Sequence, residues 1–122
     1  MKSKYVLYHN PDCSKSRAAL ALLESNDISP EIVYYLDDPL SAEQIRELMA
    51  KIGIGLQDLL RANEPEFDAY DLADESLSEE LIMDIVVKHP RLIQRPIFVN
   101  GNKAVIGRPP EKVLSLLEET KS

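Results

Sequence analysis

Cysteine is almost missing from this sequence, with Cys13 the only one among 122 residues. One thiol closes no internal disulfide, so no oxidising compartment is implied, and redox chemistry at Cys13 must borrow a thiol from another molecule. Histidine occurs only twice. With two histidines and one cysteine there is no metal-ligand spacing, and no metal is expected. Positive charge is in deficit: 14 Lys and Arg against 21 Asp and Glu give a net charge of −7. That balance argues against a broad nucleic-acid footprint, which would be basic, yet leaves room for a local cationic pocket. No apolar run approaches the roughly 20 residues that span a bilayer, and Met1-Lys2-Ser3-Lys4 leads into a short apolar run unlike the core of a secretion signal. A soluble, cytoplasmic protein without membrane attachment is expected. Repeats, low-complexity tracts and linkers are absent too, and 122 residues of which 44% are hydrophobic suit one domain, 1–122, around one core.

Periodicity then supplies the elements. Residues 5–8 read as a strand and the stretch from Ser14 or Ser16 to about Ser25 as a helix with Ala19, Leu20, Leu22 and Leu23 on its apolar side, ended by Asn26-Asp27. The β-branched and aromatic run from Pro30 to Leu36 reads as a second buried strand, with Tyr34 and Tyr35 in the core. Strand, helix, strand implies two parallel strands and an α/β core. Ser41-Ala42-Glu43-Gln44 matches a capping box before Ile45, Leu48, Met49 and Ile52 at helical spacing, and Gly53 stops that helix. A short helix is expected at Leu56 to Arg61, an acidic surface loop from Asn63 to Leu77, and a further helix from Ser78 to Lys88 closed by His89-Pro90. Pro96-Ile97-Phe98-Val99, Asn100-Gly101 and Lys103-Ala104-Val105-Ile106 form a hairpin pattern, with Asn100-Gly101 suited to a type I′ turn. Pro109-Pro110 opens a last helix carrying Val113, Leu114, Leu116 and Leu117. The whole is a mixed sheet of about four strands with a helical block inserted at about 41–90.

Cys13 falls where the first strand hands over to the first helix, in Tyr8-His9-Asn10-Pro11-Asp12-Cys13-Ser14-Lys15-Ser16-Arg17. Unpaired N–H groups and the positive end of the helix dipole favour a thiolate there. Isolated cysteines are often inert core residues, but these neighbours are polar, and Lys15 and Arg17 are available to stabilise negative charge while Asp12 opposes them. His9 has two roles open to it, lowering the thiol pKa as imidazolium or holding the loop by a hydrogen bond. His89 reads as a helix C-cap.

Three arginines sit at element ends, where sites are built: Arg61 after Leu59-Leu60, Arg95 before Pro96, and Arg108 between Gly107 and Pro109. Any one alone reads as a solvated surface residue. Converging on a cysteine, they would bind a tetrahedral oxyanion through planar, bidentate contacts. The acids Glu64, Glu66, Asp68, Asp71, Asp74 and Glu75 lack the spacing and central glycine of a calcium loop and read as a solvated face.

Tyr8-His9-Asn10-Pro11-x-Cys13-x-x-Ser16-Arg17, Leu59-Leu60-Arg61, His89-Pro90, Arg95-Pro96-Ile97 and Gly107-Arg108-Pro109 resemble, in order and spacing, the arsenate reductases coupled to glutathione and glutaredoxin. The resemblance runs from about residue 5 to residue 118. It implies a thioredoxin-like fold with a helical insertion and a cis peptide bond before Pro96. It also implies a mechanism in which the Cys13 thiolate attacks arsenate held by Arg61, Arg95 and Arg108, with His9 and Ser16 supporting the thiolate. Glutathione, a co-substrate and not a bound cofactor, then attacks the adduct, and glutaredoxin reduces it so that arsenite leaves. Two departures stand out: Ser14-Lys15 follows the cysteine where the best-characterised arsenate reductases have Gly-Thr, and an acid stands at Asp12, which they usually lack.

Other readings share the cysteine. Regulators of the same family bind RNA polymerase and sense thiol stress through Cys-x-x-Cys, but Ser16 stands at the second position here. A glutathione-linked thiol transferase gives no role to three arginines. A Cys-x5-Arg phosphatase is disfavoured because Arg17 comes four residues after Cys13.

Overall fold

The apolar run near the start forms β1 (Tyr5–Tyr8) in the computed structural model of the chain, which describes residues 5–121. Helix α1 (Ser14–Ser25) follows, then β2 (Glu31–Val33). The hairpin pattern yields β3 (Ile97–Asn100) and β4 (Lys103–Ile106). The sheet order is β2-β1-β3-β4, with β1 parallel to β2, antiparallel to β3, and β3 antiparallel to β4.

Register explains the core. Leu7 lies opposite Ile32 on one side and Phe98 on the other, and Phe98 opposite Val105. Residues paired across a sheet share a face, so these four form an apolar row. Ala19 and Leu23 of α1 pack onto it, as do Val113, from a 3-10 turn at Pro110–Val113, and Leu116 and Leu117 of the C-terminal helix, Leu114–Lys121. Leu7, Leu23 and Phe98 have no exposed surface, and each contributes about 1.5–3 kcal/mol by leaving water. These elements make one compact unit, residues 5–35 together with residues 95–121.

Between them, Leu36–Gln94 form a second unit. Its first helix, α2 (Ala42–Ile52), carries the capping box: Ser41 Oγ accepts the Gln44 N–H at 3.1 Å and Gln44 Oε1 accepts the Ser41 N–H at 2.9 Å. Gly53, at φ +84°, ends it in the left-handed region that glycine tolerates. Short helices α3 (Leu56–Leu59) and α4 (Pro65–Ala69) lead to α5 (Glu79–Lys88), capped by Ser78. A 3-10 turn, Pro90–Leu92, completes the unit, and the C-terminal helix Leu114–Lys121 of the first unit is α6. Ile45 and Leu48 of α2 and Ile82, Met83 and Val86 of α5 are buried. Among the described residues no helix is long and apolar enough to cross a membrane.

Three expectations need correction. Strand β2 stops at Val33 because its partner β1 ends at Tyr8, the residue paired with Val33, so Tyr34 is 47% exposed and only Tyr35 is buried. The hairpin turns at Gly101-Asn102: Asn100 still pairs with Lys103, and of the two loop residues only Gly101 has positive φ, which a type I′ turn would require of both. The stretch 63–77 is not a bare loop, since Pro65 opens α4 at a first-turn position where its missing N–H costs nothing, and Leu72 is fully buried.

Candidate active site

Cys13 is the N-cap of α1: its backbone is extended, at φ −97° and ψ 123°, while its carbonyl already accepts the Arg17 N–H at 3.0 Å. The loop that delivers it is tied at both ends. His9 N–H donates to the Val33 carbonyl of the neighbouring strand at 2.9 Å. Asn10 then shapes the turn, its carbonyl accepting the Cys13 N–H and its Oδ1 the Asp12 N–H, each at 3.0 Å. The half-buried thiol therefore faces the open end of the helix.

Burial alone would push the Cys13 thiol up, but the Ser16 backbone N–H, the Arg95 guanidinium and the Lys15 backbone N–H together hold it below its ordinary 9.0. No complete cap hydrogen bond closes on the neutral thiol. The amides of the first turn act on the charged form, which is the form that attacks. Lys15 thus contributes through its backbone, not its ammonium as expected, and the Arg17 guanidinium is turned onto the Pro11 carbonyl at 2.8 Å.

Ser16 is buried beneath the loop, where its Oγ lies 2.7 Å from His9 Nδ1 and accepts the Asn10 N–H at 3.0 Å. His9 is buried as well, and burial, then the nearby charge of Arg17, lowers its pKa below 6.5. Of its two open roles, the hydrogen-bonded one is what this geometry provides; an imidazolium is disfavoured there. The edge of Tyr34 approaches the His9 ring, centroids 6.0 Å apart.

Arg95 and Arg108 are brought together by the hairpin. Arg108 Nη1 donates to the Arg95 carbonyl at 3.3 Å, and the Gly107 N–H donates to the Pro96 carbonyl at 2.8 Å. The Arg95–Pro96 peptide is cis, as the resemblance implied, and so is Arg108–Pro109, which the sequence reading did not anticipate. Gly107 leaves no room for a side chain: a Cβ there would lie 2.9 Å from Pro96 Cγ and 3.1 Å from Val113 Cγ1.

Arg61 belongs to the second unit. Its N–H donates to the Leu92 carbonyl at 2.7 Å, Leu60 bridges Ile93, and the Gln94 N–H donates to the Leu59 carbonyl at 2.8 Å. Its side chain is 13% exposed, with Nε 3.7 Å from Glu64 Oε1. Glu64 is accordingly no part of a solvated face; it is buried, while Asp68, Asp71, Asp74 and Glu75 are exposed. The signal that could have singled it out was an acid three residues after Arg61 and directly before Pro65. His89 is the C-cap of α5, its Nε2 3.0 Å from the Tyr70 hydroxyl.

In the first unit His9 and Ser16 brace the loop that carries Cys13, the Arg95 guanidinium acts on the thiol, and Arg108 is hydrogen-bonded to the Arg95 carbonyl; a thiol held toward its charged form beside a guanidinium is suited to attack on an oxyanion. A family model, the ArsC family, matches residues 8–116, which include all of these residues and Arg61. The chain belongs to the ArsC family. It is 41% identical to the arsenate reductase of Haemophilus influenzae, over 92% of this chain and 97% of that protein. It is 44% identical to an uncharacterized protein of Escherichia coli K12, YfgD, over 96% of this chain and 99% of that protein. Among solved structures, an arsenate reductase from Vibrio cholerae superposes with a TM-score of 0.89 at 40% identity, covering 91% of this chain and 95% of that one. The four-stranded mixed sheet with its helices is the thioredoxin-like fold of this family.

Proposed function

We propose that this chain is an arsenate reductase in which Cys13 is the nucleophile. The observation that carries the reading is the Cys13 thiol at the N-cap of α1, held toward its charged form by the Ser16 and Lys15 amides and by Arg95. In the first step the thiolate forms a bond to As(V), and one arsenate oxygen leaves as water after protonation. Arg95 and Arg108 offset the oxyanion charge as sulfur approaches, a stabilisation that is strongest when the donors are already in place. Arg61 is assigned the same task on the strength of the family's motif. His9 and Ser16 hold the loop that presents the sulfur.

The electrons come from outside, because no second cysteine exists in the chain. Glutathione is the first external thiol and attacks the Cys13-bound arsenic, displacing a second arsenate oxygen, which leaves as water after protonation. Glutaredoxin takes the glutathionyl sulfur as a mixed disulfide. The As–S(glutathione) electron pair stays on arsenic, so two thiols are oxidised as As(V) becomes As(III), and water then hydrolyses the Cys13–As(III) bond to release arsenite and return the Cys13 thiol. Such thiols are kept reduced in the cytoplasm, where we place the protein. A related oxyanion of the same shape would use the same contacts.

The test is arsenate-dependent NADPH oxidation with the purified chain, glutathione, glutaredoxin and glutathione reductase, beside Cys13→Ser. Turnover in the parent and a loss of at least about 1,000-fold in Cys13→Ser is expected, as for removal of a nucleophile. Arsenate-dependent turnover that survives in Cys13→Ser would overturn the mechanism.

A further inference from the structure

Glu64 lies between two guanidiniums, with Oε1 3.7 Å from Arg61 Nε and Oε2 4.0 Å from Arg91 Nη2. Its side chain is 9% exposed and that of Arg61 13%, whereas Arg91 is 63% exposed. The interaction with Arg61 is therefore the sheltered one, where charge is least screened. Backbone geometry prepares it. The Glu64 N–H donates to the Arg61 carbonyl at 3.3 Å, closing a turn that brings residues three apart together. Pro65 follows and restricts Glu64 to extended backbone, observed at φ −83° and ψ 144°. Arg61 is itself anchored, its N–H on the Leu92 carbonyl at 2.7 Å. One end of the arginine is thus fixed by the backbone, and the carboxylate meets the other end on its Nε edge.

A sheltered guanidinium needs a countercharge to stay ordered, and a long arginine loses much side-chain entropy when it is held. We propose that Glu64 is a positioning residue of Arg61, its ion pair at Nε keeping the guanidinium ordered for the oxyanion before it arrives. This rests on the reading of Arg61 as an oxyanion ligand. Glu64 touches no substrate in this assignment and acts only through Arg61.

The experiment is steady-state arsenate reduction by the full chain as Glu64→Gln, Glu64→Ala, Arg61→Ala and the double variant Arg61→Ala/Glu64→Ala, with thermal melts of each. Glu64→Gln keeps the shape and removes the charge, which guards against loss of fold. The arsenate KM is expected to rise about 10-fold in both Glu64 variants with kcat within about twofold, and the double variant to be no worse than Arg61→Ala alone. A purely structural role would reduce the active fraction and so lower kcat at constant KM. If Arg61→Ala raises KM while Glu64→Gln and Glu64→Ala do not, the positioning role is overturned and the Arg61 reading stands. Additive effects in the double variant overturn it as well. If Arg61→Ala leaves KM unchanged, the Arg61 reading falls and the role of Glu64 falls with it.

Discussion

The His9 imidazole and the Ser16 hydroxyl are joined beneath the cysteine loop, Nδ1 2.7 Å from Oγ, with the Asn10 N–H donating to the same oxygen at 3.0 Å. We assign the Ser16 hydroxyl as donor to Nδ1, which leaves the imidazole neutral and its proton on Nε2. Protonating His9 would place a positive charge in a buried site close to Arg17.

Acid should therefore loosen the fold through His9. Burial first, and Arg17 second, lower its folded pKa below 6.5. Between that lowered value and 6.5 the unfolded chain binds more protons than the folded one, so stability is lost as pH falls through this window and is unaffected above it. Urea melts from about pH 7 down to about pH 5 should show this slope in the parent and a flatter one in His9→Gln. Parallel slopes would show that His9 titrates alike in both states.

Cys13 and Arg95 give a second test, read at sulfur. Burial opposes the thiolate, but the Ser16 amide, Arg95 and the Lys15 amide outweigh it, so the folded pKa lies below 9.0. The stabilisation belongs to the charged form: it is present above the unfolded value and is lost as pH falls through the folded one. Arg95→Met should move the pH profile of Cys13 alkylation upward. It should also cut kcat/KM for arsenate by about 10- to 100-fold, the worth of a charge-assisted hydrogen bond of about 1.5–3 kcal/mol. Arg95→Lys keeps the charge but not the planar fork, so its alkylation profile should stay closer to the parent while the arsenate KM still rises. An unmoved alkylation profile in Arg95→Met would remove Arg95 from the account of the thiol.

Much of this was legible in the residues themselves. Short apolar, β-branched and aromatic runs marked the strands, and helical apolar spacing marked the helices, because such runs suit a buried pleated surface and burial of one helix face sets its period. The thiol's place between β1 and α1 was readable for the same reason. What sequence could not supply was direction. Lys15 looked like a cation for the thiolate, yet the helix end presents its N–H to the sulfur, and Arg17 turns to the Pro11 carbonyl. Glu64 was hidden among acids most of which are exposed, and the turn from Arg61 to Glu64 sets it apart from them. Tyr34 matched Tyr35 in composition, but the point where β1 stops pairing decides which of them is covered.

Gly107 offers the last test, because it joins fold to site with a single missing atom. A Cβ would meet Pro96 Cγ at 2.9 Å and Val113 Cγ1 at 3.1 Å, and both residues are buried, so neither ring nor methyl has open space to retreat into. Gly107→Ala should cost about 1–3 kcal/mol of stability, the usual penalty for overpacking a filled core. The damage should also reach the chemistry. Pro96 follows Arg95 and Gly107 precedes Arg108, and the Gly107 N–H donates to the Pro96 carbonyl at 2.8 Å, so pushing these backbones apart separates the two guanidiniums from their shared footing. A fall in kcat/KM for arsenate of about 10-fold or more should therefore accompany the lower melting temperature, measured where the variant is still fully folded. Lost stability with parent kinetics would mean that the Arg95–Arg108 arrangement does not depend on this contact. Parent stability would mean that Pro96 and Val113 yield by the few tenths of an ångström needed.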